Sequence, residues 1–216
     1  MVKKNRLVTT TFREIKNSFP RFFSLLLMSF LGVFVFAGLK ATAPAMMNSL
    51  DAFYKNANVY DIKLTSTVGF DNNAIDILKK IDGVSEVELS NYKDVAFKDK
   101  NDKEVVIKLI STPSTINLLS SEYDYENLKK NEILVEENFI DKTGFKINDE
   151  VLLDDVTYTI KGVVSSPLFY TNVSLNQNRG KTNVGNGTIN YYGYINNSSF
   201  NVDYYVNAYI TLNGTN

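Results

Sequence analysis

The feature that most constrains this chain is a stretch of 18 residues, Phe22 to Leu39, without a charged side chain. Twelve of the 18 are Phe, Leu or Val. As a helix rising about 1.5 Å per residue, the stretch covers about 27 Å, close to the thickness of the hydrocarbon core of a bilayer. A buried helix in a soluble protein is rarely so uniformly apolar, so the sequence predicts a membrane-spanning helix. Six residues mark this span: Phe22, Leu26, Phe30, Val33, Phe36 and Leu39.

Charge is distributed unevenly on the two sides of the stretch. Residues 1–21 hold six Lys or Arg and one Glu, a net charge of +5, and because the whole chain carries −1, residues 22–216 carry −6. Basic residues favour the cytoplasmic side of a membrane helix, so we expect a cytoplasmic N-terminus in the cell membrane and everything after about residue 45 outside. The near-neutral total gives no positive field that would hold nucleic acid.

A cleaved signal peptide is the alternative interpretation of the same stretch. Ala41–Ala43 and Ala43–Ala45 both have the small-x-small pattern of a cleavage site. The basic segment is much longer than a signal peptide requires, however, and the apolar run exceeds the usual 7–15 residues. We therefore favour a retained membrane anchor.

Two further patterns flank or enter the span. Four apolar residues recur at helical spacing before it and predict a short amphipathic helix at the cytoplasmic interface: Val8, Phe12, Ile15 and Phe19. Three small residues at intervals of four would let another membrane helix approach closely: Ala37, Ala41 and Ala45. For this second pattern, a chance run of alanine is an equally good explanation.

These patterns divide the chain into three parts. Residues 1–21 form the cytoplasmic amphipathic helix, residues 22–44 the transmembrane helix, and residues 45–216 an extracytoplasmic domain. Ala45 to Tyr54 could continue the helix as a stalk, with Pro44 as a kink or boundary.

The outer domain begins with patterns of both strand and helix. Alternation of apolar and polar residues at 60–65 predicts a half-buried strand, and Val84–Leu89 predicts a second. Between them, a helix is indicated by Asp71 as its N-cap, Gly83 after its end and an apolar stripe of Ala74, Ile77, Leu78 and Ile81. Strand, helix and strand make a simple or split βαβ unit. We expect Val95–Phe97 and Val105–Ile110 to extend the same sheet, giving a mixed α+β fold.

The second half of the domain is predicted to be barrel-like or rich in hairpins. Strands are expected at 133–135, 151–153, 157–164, 191–195 and 204–212, with a short helix around Glu136–Lys142 and a turn at Asp154-Asp155. Pro167 to Gly187 is rich in Asn, Gly and Thr and predicts a long exposed excursion.

The amino-acid composition excludes several common kinds of catalytic site. The chain has no Cys and no His, which excludes disulfides, thiol nucleophiles, imidazole bases and zinc sites of the usual kind. Ser90 and Lys93 have the Ser-x-x-Lys spacing of some acyl-transfer enzymes, but the companion motifs are missing. Gly180-Lys181-Thr182 matches only the end of a phosphate-binding loop. We expect no catalytic residue, metal or cofactor.

Two clusters have a structural and a functional interpretation. Carboxylates that could bind calcium are more simply solvated turn charges: Glu136, Glu137, Asp149, Glu150, Asp154 and Asp155. Aromatic residues that could line a ligand surface are more simply packed on strands: Tyr191, Tyr192, Tyr194, Phe200, Tyr204, Tyr205 and Tyr209.

Several motifs, in order, resemble the N-terminal part of an FtsX-like (MacB-type) ABC transporter permease. Phe12–Ile15 with Phe22-Phe23 is similar to the family's entry helix, and Ile81–Val84 resembles its step from helix to second strand. Thr143–Val151, followed by a hairpin ending at Ile160–Val164, resembles the family's G-x-x-x-G-D-x-V element, with Asn148 at the second glycine. Residues 165–205 also resemble a subgroup of long permeases from low-GC bacteria.

The resemblance implies a non-catalytic transporter subunit. Its partners would be a separate ATP-binding subunit, contacted through parts of the permease that this chain is expected to lack, and a second permease copy or homologue in the bilayer. Its outer domain would pass conformational change to or from partners outside. Because the family has further membrane helices, we expect this chain to be an N-terminal fragment. The alternatives are a complete single-span surface protein that binds a ligand or partner and a secreted or anchored hydrolase, for which Ser90 and Lys93 are the one dyad candidate.

Overall fold

A computed structural model describes residues 3–169 and 179–214. The chain divides into two units, Met1–Ala52 and Phe53–Asn216. The predicted class, one long apolar helix followed by a mixed α+β domain, is confirmed.

The N-terminal part consists of two helices. Helix α1 spans Lys3–Asn17 and helix α2 spans Phe19–Asn56, with Ser18 between them. Pro20 explains the break, because proline lacks an N–H and fits best in the first turn of a helix. Pro44 lies inside α2, so it is not a helix boundary, and the predicted helical continuation to Tyr54 is confirmed.

Helix α2 is, within the described ranges, the one helix long and apolar enough to cross a membrane. None of its side chains is buried, and the six that mark the span are 43–71% exposed. The hydroxyls of Ser24, Thr42 and Ser49 donate to carbonyl oxygens four residues earlier in the same helix, at 2.9, 2.7 and 3.0 Å. A helix that satisfies its polar groups internally and presents apolar side chains outward suits a lipid environment.

The second unit contains the remaining strands and helices. The helices are α3, Asn73–Lys79, and α4, Glu137–Thr143. The strands are β1 Ile62–Phe70, β2 Val84–Ser90, β3 Tyr92–Lys98, β4 Glu104–Ser111, β5 Ser120–Ser121, β6 Glu132–Val135, β7 Glu150–Leu153, β8 Val156–Ser165, β9 Tyr191–Ile195 and β10 Tyr205–Leu212.

Three of these strands form a small antiparallel sheet in the order β1-β10-β2. Strand β10 pairs antiparallel with both neighbours, so β1 and β2 run parallel with β10 between them, and α3 connects them. This is the split form of the predicted βαβ unit. The Asp71 carboxylate accepts the Ala74 N–H at 3.1 Å, which gives Asp71 the capping role expected of it.

The remaining strands form a mixed sheet in the order β3-β4-β9-β6-β8-β5, with β7 paired to β8. The prediction that β3 and β4 extend the first sheet is wrong, because the chain changes sheets at Asn91. The predicted hairpin of β7 and β8 is present, and Asp154 and Asp155 both adopt positive φ in its turn. Asn148, which replaces a glycine of the family motif, also adopts the left-handed conformation, with φ 71°.

The core lies on the larger sheet. Its largest cluster packs β3, β4, β6, β8 and β9 against α4, with Phe139 fully buried and stacked against Phe97 and Phe145. Gly193 sits at the centre of β9, where a Cβ atom would lie 2.9 Å from Ile133 Cδ1 and 3.1 Å from the Leu134 carbonyl oxygen. Only glycine fits this approach between strands.

Candidate functional site at the junction of the two sheets

The chain that leaves α2 ends the helix with a motif that fixes its direction. Asn58 is left-handed, with φ 45°, and its N–H donates to the Lys55 carbonyl, while the Val59 N–H donates to the Tyr54 carbonyl. These are the two hydrogen bonds of a Schellman motif, in which Asn is the usual substitute for glycine. The chain therefore turns at a defined point immediately after Asn56.

The residues after this turn are held by a loop of the larger sheet. The Ala57 and Asn58 carbonyls accept hydrogen bonds from the Leu118 and Asn117 N–H groups at 2.7 and 3.0 Å. The Tyr60 N–H in turn donates to Asn117 Oδ1 at 3.2 Å. We call this contact between residues 57–60 and 115–118 the linker clamp.

Asn58 also connects the linker clamp to the small sheet. Its Nδ2 donates to Glu86 Oε2 on β2 at 2.9 Å and to the Thr115 carbonyl at 2.7 Å. Asn117 has φ 61°, so both asparagines occupy a conformation that most residues avoid. Asparagine combines this backbone geometry with a hydrogen-bonding side chain, which acts as a donor at Asn58 and as an acceptor at Asn117, and this explains its use at both positions.

A second contact from β2 is made by the buried carboxylate of Glu88. It accepts the N–H groups of Ser114, Thr115 and Ile116 at 2.6, 2.9 and 2.6 Å, and the Thr115 hydroxyl at 3.2 Å. Glu88 is only 8% exposed, so these charge-assisted bonds replace its hydration. We call this arrangement the Glu88 cradle.

The third contact is the point where the chain passes from β2 to β3. Asn91 alone separates the two strands. Its side chain bonds to the backbone near the start of β10, as a strand backbone would: Oδ1 accepts the Val206 N–H at 3.0 Å and Nδ2 donates to the Tyr204 carbonyl at 2.9 Å. The hydroxyls of Ser90 and Ser111 are 2.9 Å apart, joining β2 to β4. The junction thus ties the chain leaving α2 to both sheets through buried polar groups.

The larger sheet also holds a buried ion pair that the sequence did not predict. Arg179 donates to Glu136 Oε2, and the two side chains are 6% and 3% exposed. Arg179 also donates to the Asn190 carbonyl at 2.8 Å, and Glu136 Oε1 accepts the Tyr192 N–H at 3.0 Å. Burial raises the pKa of Glu136 to about 6, against the lowering effect of Arg179.

This pair corrects two expectations. Glu136 is not a solvated turn charge. The excursion from Pro167 to Gly187 is only partly exposed, because Pro167 is buried and Leu168, Phe169 and Arg179 are half-buried, whereas most of 180–186 is exposed as predicted. Phe169 stacks on Tyr192 at 4.5 Å, and the Arg179 guanidinium lies 5.8 Å from the same ring. Residues 170–178 of the predicted excursion lie outside the described residues. In the sequence, Arg179 is a single basic residue in a polar segment, and nothing near it indicates that it pairs with a carboxylate 43 positions away.

A groove lies beside the junction, lined by residues of β3 and by the turn that follows Gly180. Its volume is about 490 Å³, and its wall includes Tyr92, Lys93 and Lys181. Two of its residues contact Lys108 on β4: the Lys108 ammonium lies 2.7 Å from the Asp94 carboxylate and 4.1 Å from the centre of the Tyr92 ring. Burial, together with the nearby Lys108 charge, lowers the pKa of Lys63.

The candidate catalytic residues are not assembled into a site. The Ser90 hydroxyl is paired with Ser111, and Lys93 forms an ion pair with Asp154. Lys181 lies in an isolated bridge with Thr188, without the helix that a phosphate-binding loop requires. In the described part of the chain, no three acidic groups are placed to hold a metal.

The other predicted groups are placed as follows. Asp149 pairs with Lys100, which lowers the pKa of the carboxyl through a hydrogen bond. Among the aromatic residues, Tyr204 is 48% exposed, whereas the packed ones include Tyr191, Tyr192, Tyr194 and Tyr209. Strand packing therefore accounts for most of that group. Continuous α2 places Ala37, Ala41 and Ala45 on one face, and their packing against another helix stays a prediction.

No protein-family model matches the sequence, and no curated protein does. Two solved structures are similar in fold. One is the extracellular domain of the noncanonic ABC-type transporter YknZ from Gram-positive bacteria, at 14% identity over 69% of this chain and 76% of that chain, with a TM-score of 0.44. The other is the periplasmic region of MacB from Actinobacillus actinomycetemcomitans, at 10% identity over 71% and 68%, with a TM-score of 0.40.

Proposed function

We propose that this chain is a non-catalytic membrane subunit, the N-terminal part of an ABC transporter permease. Its outer domain relays conformational change between the membrane helix and partners outside the cytoplasmic membrane. The ATP-binding subunit and a second permease copy or homologue are its proposed partners in the bilayer. The observation that carries this proposal is the linker clamp, since it fixes the chain leaving α2 to both sheets of the domain.

The membrane helix and its flanking charges support the proposed location. Helix α2 presents apolar side chains over the whole predicted span, and the basic residues precede it. Under the positive-inside rule, residues 1–21 are cytoplasmic and the domain lies outside. A change on the cytoplasmic side would then reach the domain through α2 and the residues that follow it.

Relay requires a connection that moves as one piece. A flexible linker of Gly and Ser would absorb a displacement of the helix. Residues 57–60 are instead hydrogen-bonded to the loop after β4 and to β2. From the small sheet, Glu86 accepts a hydrogen bond from Asn58 in the linker, and Glu88 holds the loop 114–116 to which the same Asn58 side chain donates. A displacement of the linker is therefore passed to β2 and to the loop after β4 together.

The chemistry of the chain supports a subunit that does no catalysis itself. The sequence contains neither His nor Cys. The one acyl-transfer dyad considered has both members engaged elsewhere, Ser90 with Ser111 and Lys93 with Asp154. The energy for transport would come from ATP hydrolysis on the partner subunit.

The proposal is tested by tagging the permease of which this chain is the N-terminal part, purifying it from native membranes, and measuring the ATPase rate of the nucleotide-binding subunit that accompanies it. Asn58→Gly weakens the linker clamp, whereas Asn101→Gly, at an exposed turn between β3 and β4, is the matched control. We expect Asn58→Gly to change the ATPase rate in preparations with equal amounts of folded chain, and Asn101→Gly to leave it unchanged. Absence of a nucleotide-binding partner, or equal rates in both variants, contradicts the proposal.

A second candidate function, a single-span surface protein that binds a ligand directly, is favoured by the groove of about 490 Å³ beside Tyr92. It predicts that no nucleotide-binding subunit accompanies the chain. Binding of a ligand at the groove would then be lost in Lys181→Ala and retained in Lys79→Ala, a change of an exposed lysine on α3.

A further inference from the structure

A small cavity with a mostly apolar wall and a few polar groups lies at the junction. Its volume is about 10 Å³, and its polar walls come from Glu88 and Ser90 on β2, Ser111 on β4, and Asn117 in the linker clamp. The apolar part of the wall includes Ile110, Ile116 and Leu168. A volume of this size accommodates one water molecule, provided that two or more polar groups reach it.

Asn117 brings a donor to this cavity. The side chain is 3% exposed, and its Nδ2 has no hydrogen-bond partner among the protein atoms of residues 3–169 and 179–214. The orientation of the amide is fixed, because Oδ1 accepts the Tyr60 N–H at 3.2 Å. Leaving such a buried donor without an acceptor costs about 1–3 kcal/mol, so the site favours an acceptor small enough to enter.

Glu88 brings an acceptor to the same cavity. Its Oε2 accepts three hydrogen bonds in the cradle, whereas Oε1 accepts one, from the Ser114 N–H at 2.6 Å. A carboxylate oxygen accepts two bonds comfortably, so Oε1 retains capacity. The hydroxyls of Ser90 and Ser111 complete the polar lining.

We propose that a single buried water molecule is bound in this cavity, accepting a hydrogen bond from Asn117 Nδ2 and donating to Glu88 Oε1. The water joins the linker clamp to the Glu88 cradle, so that the two contacts form one hydrogen-bonded unit. This inference rests on the cavity and its polar groups and does not depend on the proposed transport function.

The test is made on the full-length chain in detergent micelles by measuring nuclear Overhauser effects between water and side-chain amide protons. Asn91 provides an internal control, because it is also 3% exposed but its Nδ2 donates to the Tyr204 carbonyl and lies 3.5 Å from Asn197 Oδ1. We expect a cross-peak of slowly exchanging water at Asn117 and none at Asn91. In Asn117→Gly, which tolerates the φ of 61°, the cross-peak is lost.

A crystal structure that resolves ordered water gives an independent readout. The expected result is one water within hydrogen-bond distance of both Asn117 Nδ2 and Glu88 Oε1. A direct bond from Asn117 Nδ2 to a protein acceptor, or a cavity without an ordered water together with no cross-peak at Asn117, overturns the proposal.

Discussion

Substitutions at Asn58 separate the two contributions that this residue makes to the linker clamp. The side chain donates to Glu86 and to the Thr115 carbonyl, and the backbone is left-handed with φ 45°. Asn58→Gly removes the donors and keeps the backbone geometry. Asn58→Ala removes the donors and also places a Cβ where it is strained.

The two substitutions are expected to differ by a measurable amount. Loss of the bond to the Thr115 carbonyl costs about 1 kcal/mol, and loss of the bond to the partly exposed Glu86 carboxylate costs about 1–2 kcal/mol. Asn58→Gly is therefore expected to lower the free energy of unfolding by about 2–3 kcal/mol. Asn58→Ala adds the strain of a left-handed alanine, about 1 kcal/mol more.

The assay is urea denaturation of the full-length chain in detergent micelles. The chain has 13 Tyr and no Trp, so Tyr fluorescence reports on the outer domain, where most of the Tyr residues lie. Asn101→Gly is the control and is expected to leave the unfolding midpoint almost unchanged. The reasoning is refuted if the Gly and Ala variants unfold at the same midpoint, or if both match the wild type.

Three further predictions concern the larger sheet. Arg179→Met leaves the Glu136 carboxylate buried without its cation, and we expect a loss of about 3–5 kcal/mol, measured by urea denaturation at pH 7; a loss below about 1 kcal/mol contradicts this account. The pKa of Glu136 is raised from 4.5 when unfolded to about 6 when folded, so this group makes the fold more stable by about 2 kcal/mol as pH falls from 7 to 4. Glu136→Gln has no titrating group at this position and should lack this gain in stability at low pH. If the variant and the wild type show the same dependence of stability on pH, the prediction is wrong. Gly193→Ala forces a Cβ against Ile133 and Leu134 and should cost about 1–3 kcal/mol, whereas Gly32→Ala, with no atom within 4 Å, should cost nothing measurable in the same denaturation assay.

Local patterns predicted the individual elements well, because each depends on residues close in sequence. The apolar run at 22–39 predicted the long apolar helix α2, alternation predicted the strands, and Asp154-Asp155 predicted the hairpin turn. Pro20 and Pro44 occupy different positions relative to their helix, however. The first begins a helix and the second lies inside one, and a proline alone does not distinguish these positions.

The pairing of strands and the junction could not be predicted, because they depend on contacts between distant residues. Strand β10 enters between β1 and β2 although 114 residues separate the end of β2 from its start. Asn91 gives no local signal that the chain changes sheets, since the residues on both sides favour strand. Asn58 and Asn117 each read as ordinary polar loop residues, and their roles follow from the bonds that join them across the fold.

The central claim is that α2 crosses the membrane with the domain outside and the N-terminus in the cytoplasm. Because the chain has no Cys, single cysteines can be introduced at exposed positions, Thr10 on α1 and Thr67 on β1, and labelled in intact cells with a membrane-impermeant maleimide. The account predicts that Thr67→Cys is labelled in intact cells and Thr10→Cys only after the membrane is permeabilised. Labelling of Thr10→Cys alone, or of neither before permeabilisation, would contradict it.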